Sequence, residues 1–140
     1  LSLDDFDRPL NERGNRDAPK MAQWFSENTQ ERPILFSSPA NRALSTAKCF
    51  EKVLTPIKFN IVDDLYHANL QDYESLILEN NSEKHIVIFG HNPTISQVAE
   101  EMLKTKYVNL KTCSICQINL VEPDTLSGEL NFIKSPKELT

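Results

Sequence analysis

An α/β layer fold is the class this sequence predicts, and three observations predict it. Apolar runs of strand length alternate along the chain with segments of helical period. Two of those runs, "LFSSPANR" (35 to 42) and "IFGHNPTI" (88 to 95), pass through a polar residue and a proline straight into a helix. A chain of 140 residues, 39% hydrophobic and 25% charged, is large enough for one core and too small for two.

Each element has its own local cause. Asn11 is placed to cap a first helix, along which Ala18, Met21, Ala22 and Phe25 recur at i, i+3, i+4 and i+7. Pro19 suits a helix start or a kink there. "PILFSS" (33 to 38) is the first strand, and Pro39 falls at the expected first helical position of "ANRALSTAKCFEKVL", whose inward face is Ala43, Ala47, Phe50 and Leu54. "IKFNIV" (57 to 62) alternates Ile57, Phe59 and Ile61 with Lys58 and Asn60, the pattern of a half-buried strand toward a sheet edge. A helix from about Gln71 to Glu79 follows. "HIVIFG" (85 to 90) has no polar alternation, which predicts a central strand covered on both faces. Ile95, Val98, Ala99 and Met102 mark the next helix face. "CSICQINLV" (113 to 121) and "GELNFIK" (128 to 134), joined through Pro123, Asp124 and Gly128, read as an antiparallel pair. No repeat, low-complexity tract or linker divides residues 1 to 140, so they are expected to form a single domain.

The formal net charge of -5 argues against a nucleic-acid or membrane-surface partner, either of which calls for a basic face. No apolar run approaches the roughly 18 residues that span a bilayer. "LSLDDFDRPL" has neither the basic nor the apolar region of a signal peptide. Three cysteines, an odd number, suggest reduced thiols and a cytoplasmic protein. Cys113 and Cys116, three apart on a strand, point to opposite faces and read as core thiols rather than one zinc or disulfide site. No cluster has metal-ligand spacing, so neither a metal nor another cofactor is expected.

The two strand-to-helix junctions carry the chemistry. Ligands of open α/β sheets bind at the carboxyl ends of strands, where free helix N–H groups and the positive end of the helix dipole favour anions, phosphate above all. Arg42, in the first turn after Pro39, offers a planar, permanently charged fork suited to phosphate oxygens. An isolated histidine at a strand end is usually structural, but His91 in "GHNP", paired with the Arg42 motif, reads as functional. Arg8 is placed either to contact phosphate or to orient its loop, and Asn92 either to touch phosphate or to cap the helix after it. His67 and His85 read as structural or exposed.

"DFDRPLNERG" (5 to 14), "SSPANRALSTA" (37 to 47), "GHNP" (90 to 93) and the closing "TCSICQINL" with "SPKEL" resemble, in the same order, the SixA-type phosphohistidine phosphatases of the histidine phosphatase superfamily. The resemblance covers nearly the whole chain. It implies a three-layer α/β/α sandwich with a mixed, mostly parallel sheet, and metal-free hydrolysis of phosphate esters or phosphoramidates. Arg42 would be the phosphate-binding arginine and His91 the catalytic histidine that hydrogen-bonds the transferring phosphoryl group. Arg8 and Asn92 stand beside them as candidates for contacting the phosphate, with the loop-orienting and capping alternatives left open.

Two departures qualify what is carried over. In the family the first strand is central, lies beside the strand that ends at His91, and itself ends in an Arg-His pair whose histidine is the nucleophile. No such motif stands in this sequence. The expectation is that the gene product has an upstream strand carrying it, since a doubly buried "HIVIFG" without that neighbour would leave backbone groups unpaired. The second departure is the leaving-group acid. Relatives that cleave phosphate esters carry a carboxylate after the third strand, whereas "DDLYHANLQDY" has none clearly in register, with Asp63, Asp64, Asp72 or His67 as substitutes. An imidazole leaves more easily than an alkoxide, which favours phosphohistidine on a phosphoprotein as substrate. A small phosphorylated metabolite, or a non-catalytic phosphate-binding role, is the alternative.

Overall fold

The computed structural model describes residues 4–139. In chain order its elements are α1 (Glu12–Glu27), β1 (Ile34–Ser37), α2 (Asn41–Leu54), β2 (Lys58–Ile61), α3 (Leu70–Glu79), β3 (Ile86–Phe89), α4 (Thr94–Leu103), β4 (Ile115–Leu120) and β5 (Gly128–Lys134). Short 3-10 turns lie at Asp5–Asp7, Asp63–Leu65 and Pro136–Leu139. The α1 helix starts as its sequence predicts, the Asn11 side chain accepting the Gly14 N–H at 2.8 Å. Pro19 lies inside α1 without ending it. The carbonyl that loses its donor there belongs to Asn15, which is exposed and open to solvent.

Strands β2, β1 and β3 form a parallel sheet in that order, with Ile34 opposite both Lys58 and Ile86. All four residues of β1 are buried, so β1 is the central strand among the described residues. Its side chains alternate between two helical layers. Ile34 and Phe36 pack with Tyr73 and Ile77 of α3 and Val98 and Met102 of α4. Leu35 packs with Met21, Ala22 and Phe25 of α1 and Phe50 and Leu54 of α2. The result is the expected α/β/α arrangement. Strands β4 and β5 pair antiparallel and add the non-parallel part of the β structure.

Three expectations are corrected. Pro39 stands before the helix cap rather than at the first helical position, because Ala40 is extended and α2 begins at Asn41. Of the three alternating apolar residues in and just before β2 only Phe59 joins a core; Ile57 and Ile61 are 62% and 55% exposed, since β2 is the sheet edge and the helical layer reaches no further. Most consequentially, β3 is not a central strand among the described residues: both its faces are covered, Ile86 and Ile88 packing against one core and Val87 and Phe89 against the other, but it pairs with β1 alone, which leaves each of its residues half-buried. Its other edge and the outer edge of β4 face one cavity of about 300 Å3, lined by Ile86–Phe89 on one side and Ile115–Ile118 on the other. Among the described residues no helix is long and apolar enough to cross a membrane.

Candidate active site

The carboxyl ends of β1 and β3 are tied together, the Ser38 N–H donating to the Phe89 carbonyl at 2.9 Å. His91 therefore emerges beside Ser38 and the first turn of α2. One ring nitrogen, Nε2, lies 2.7 Å from Ser38 Oγ, and the other, Nδ1, 3.4 Å from Arg42 Nη2. A guanidinium only donates, so Nδ1 is the acceptor and Nε2 carries the proton that goes to Ser38. The Ser38 hydroxyl also accepts the Ala40 N–H at 3.2 Å. Burial first, and then the Arg42 charge, hold the His91 ring below the usual histidine range, so it is neutral at pH 7.

The backbone of His91 is anchored from the other helical layer. Its N–H donates to the Tyr73 phenol at 3.2 Å, and Tyr73 is only 1% exposed. The preceding residue has to be glycine for that phenol to fit, because a Cβ on Gly90 would lie 1.9 Å from the Tyr73 hydroxyl. The Asn92–Pro93 peptide that follows is cis.

Arg42 is held by a segment far away in sequence. Its Nη1 donates to the Asp5 carbonyl at 2.8 Å and its Nη2 to Asp5 Oδ2 at 3.1 Å. The Tyr66 hydroxyl donates to the same carboxylate oxygen at 2.9 Å, and Asn41 Nδ2 to the Asp7 carbonyl at 3.1 Å. The Asp5–Asp7 turn thus lies across the start of α2. Tyr66 and then Arg42 hold the Asp5 carboxyl below the usual carboxylate range against an opposing desolvation, while desolvation and then Asp5 push the Tyr66 phenol up. The helices α1 and α3 carry side-chain caps from Asn11 and Asn69, but α2 and α4, the two that open here, carry none. First-turn N–H groups without a cap need another partner, and an anion is one.

Of the four residues the sequence singles out, Arg42 and His91 meet although they stand 49 residues apart. Arg8 is exposed at the end of the Asp5–Asp7 turn, and its charge acts on Asp5. Asn92 corrects the expectation. Its amide donates to the Leu110 carbonyl and accepts from the Ser96 hydroxyl, whose oxygen accepts the Leu110 N–H at 3.0 Å. One amide N–H and the amide oxygen thus lock the loop at Leu110 to α4. Among the substitute acids, Asp63 and Asp64 are exposed, and the Asp72 carboxylate accepts the Asn69 N–H in the α3 capping box. His67 does approach the site, lining a cavity with His91. Ser38, Asp5, Tyr66 and Tyr73 were missed. For Ser38 the signal was available, as a hydroxyl immediately after a buried strand and before proline. The other three depend on contacts that no local pattern announces. Among the described residues no group of three or more His, Cys, Asp or Glu is placed to hold a metal ion.

Residues 4–77 match the family described as the histidine phosphatase superfamily (branch 1). An uncharacterised chloroplastic protein of Arabidopsis thaliana is 30% identical over 81% of this chain, and the match spans 57% of that relative's length. Two solved structures share the fold. The protein histidine phosphatase SixA in complex with tungstate superposes with a TM-score of 0.87 at 20% identity, covering 100% of this chain and 92% of the other. A protein of Agrobacterium tumefaciens named as the phosphohistidine phosphatase SixA gives 0.85 at 23% identity, covering 96% and 88%.

Proposed function

Because the chain belongs to the histidine phosphatase superfamily, we propose that the full protein is a phosphatase that removes phosphate from phosphohistidine on a phosphoprotein, without a metal and through a phosphohistidine enzyme intermediate. The observation that carries this reading is the meeting of Arg42 and His91 at the ends of adjacent parallel strands, between two uncapped helix starts. The tungstate in the SixA structure is a tetrahedral oxyanion like phosphate, which agrees with an anion site.

In this reading Arg42 turns its fork from Asp5 to two phosphoryl oxygens and supplies the fixed positive charge that a metal would otherwise provide. His91, neutral beforehand, gains a proton as the anion arrives and donates it as a hydrogen bond to a third oxygen. Arg8 adds charge at the rim, and Asn92 keeps the loop behind His91 in place. The nucleophile is a histidine on a strand outside residues 1 to 140. The slot between β3 and β4, with a free strand edge on each side, is where that strand would complete the sheet of this single domain. Its imidazole nitrogen attacks phosphorus, the P–N bond to the substrate imidazole breaks, and water later takes the phosphoryl group from the enzyme. Three free thiols agree with a reducing compartment such as the cytoplasm.

The test is a trap of the intermediate. Full-length protein is mixed with a radiolabelled phosphohistidine donor and quenched, and an acid-labile phosphoenzyme is expected. Phosphate binding with no phosphoenzyme would instead identify a non-catalytic binding module. Equal turnover of a sugar phosphate would identify an esterase.

A further inference from the structure

Ser38 stands at the carboxyl end of β1 with none of its surface exposed, too deep for its hydroxyl to meet a substrate. Its N–H, carbonyl and Oγ are nonetheless all engaged. The N–H donates to the Phe89 carbonyl at 2.9 Å, the carbonyl accepts from the Ser37 hydroxyl at 2.9 Å, and Oγ lies 3.2 Å from the Ala40 nitrogen and 2.7 Å from His91 Nε2. Ala40 precedes α2, and Arg42 lies in the first turn of that helix. One buried hydroxyl thus joins the strand end that carries His91 to the helix start that carries Arg42.

We infer that Ser38 is a positioning residue for His91: by accepting the Nε2 proton it keeps that nitrogen protonated throughout, so the ring meets an incoming phosphoryl group as a cation with its second proton on Nδ1. The inference rests on the phosphatase reading above and adds to it the group that decides how His91 is protonated. A neutral imidazole has its proton on one nitrogen only, and without a fixed partner either will serve. Two contacts remove that freedom before the anion arrives. A proton on Nδ1 would point at the Arg42 guanidinium 3.4 Å away, donor against donor, whereas a proton on Nε2 meets Ser38 Oγ. Once phosphoryl oxygens draw the Arg42 donors away, the first constraint is gone and Ser38 alone remains. With Nε2 still protonated, a further proton from solvent can add only at Nδ1, and the imidazolium then has an acceptor on each side. The surrounding groups leave this choice to Ser38. Asp5 and His67 act on the ring through charge, Tyr66 stands edge-on at 5.9 Å with its hydroxyl on Asp5, and the Tyr73 hydroxyl accepts the His91 backbone N–H.

Nitrogen NMR of the full-length protein, grown with isotope-labelled histidine, reads the protonation of each ring nitrogen, and the His91 signals are identified by their loss in His91→Gln. At a pH where the free ring is neutral, the wild type is expected to hold its proton on Nε2, and saturation with inorganic phosphate to protonate both nitrogens. Ser38→Ala is expected to bind phosphate roughly fivefold more weakly and, once saturated, to show a neutral ring protonated on Nδ1, the state that needs no acceptor behind it. Ser37→Ala is the control for folding. It removes an equally buried hydroxyl from the same strand end, and should leave the His91 signals and the phosphate affinity as in the wild type. A wild-type ring that meets phosphate with Nδ1 alone protonated, or a Ser38→Ala ring that takes up both protons at undiminished affinity, overturns the role of Ser38 and leaves the phosphatase reading standing. Failure of the wild type to bind phosphate overturns both.

Discussion

Replacing Gly90 by alanine puts a methyl group where the Tyr73 hydroxyl already lies, 1.9 Å away, with the ring carbons next to it at 2.9 and 3.1 Å. Tyr73 cannot swing clear, because it is 1% exposed and packed in the core with Ile34, Phe36, Ile77 and Met102. Overpacking of this kind costs about 1–3 kcal/mol. Moving the phenol also breaks its bond to the His91 N–H, another ~1 kcal/mol. The expected loss for Gly90→Ala is therefore about 2–4 kcal/mol, read as a fall in the urea midpoint at unchanged m-value. The Tyr73→Phe variant supplies the control. Alone it costs about 1 kcal/mol for the hydrogen bond, but it removes the atom that a Gly90 side chain strikes. In the Tyr73→Phe background the alanine should cost at least about 1 kcal/mol less, a coupling that a double-mutant cycle measures directly. Gly90→Ala within about 0.5 kcal/mol of wild type, or a coupling energy near zero, would show that this contact does not hold His91 in place.

Other consequences can be measured separately. Arg42→Ala should weaken phosphate or vanadate binding by about 30-fold or more, the loss of a charged hydrogen-bonding fork, while Arg42→Lys should fall between it and wild type; full binding by the alanine variant refutes the pocket. His91 is held below the ordinary histidine range by burial and Arg42. The unfolded chain therefore binds its proton more readily, so the His91 contribution to stability is intact above an unfolded value of about 6.5 and declines as pH falls below it. A His91→Gln variant should flatten that part of the stability profile, and phosphate binding by the wild type should take up a proton near pH 7, measurable as a buffer-dependent heat. Lys104 ends α4 in the left-handed region at φ 52, where its N–H and that of Thr105 return to carbonyls of the last turn. Lys104→Gly should relieve that strain and, after the added freedom of the unfolded chain, stabilise by about 0.5–1 kcal/mol in thermal or urea unfolding.

Much of the fold was legible because the signals were local. Asn11 caps α1, and Ala18, Met21, Ala22 and Phe25 are all buried on one face of it, since helical period and capping act within a few residues. The junctions at Pro39 and Pro93 were legible for the same reason. Strand position was not. "PILFSS" and "HIVIFG" are equally apolar, yet among the described residues β1 is the central strand and β3 has an open edge, because order in a sheet is decided by partners and not by composition. On β2 the alternation predicts which face Ile57, Phe59 and Ile61 share, but whether a helix covers that face depends on where α2 ends.

The site divides along the same line. Arg42 and His91 each stand at a strand-to-helix junction, so each could be picked out alone, and parallel pairing of β1 with β3 then brings the two junctions together. Asp5 had no such mark. It is one of twenty acidic residues, in a run with Asp4 and Asp7 that reads as solvated surface. What distinguishes it is a carboxylate oxygen shared between Arg42, 37 positions on, and Tyr66, 61 positions on. Those two partners differ in what they do for an incoming phosphate. In the proposed reading Arg42 would turn donors from Asp5 to the phosphate, whereas the Tyr66 hydroxyl can stay on Asp5 and hold its carboxylate charged, so that the two anions would compete for one guanidinium.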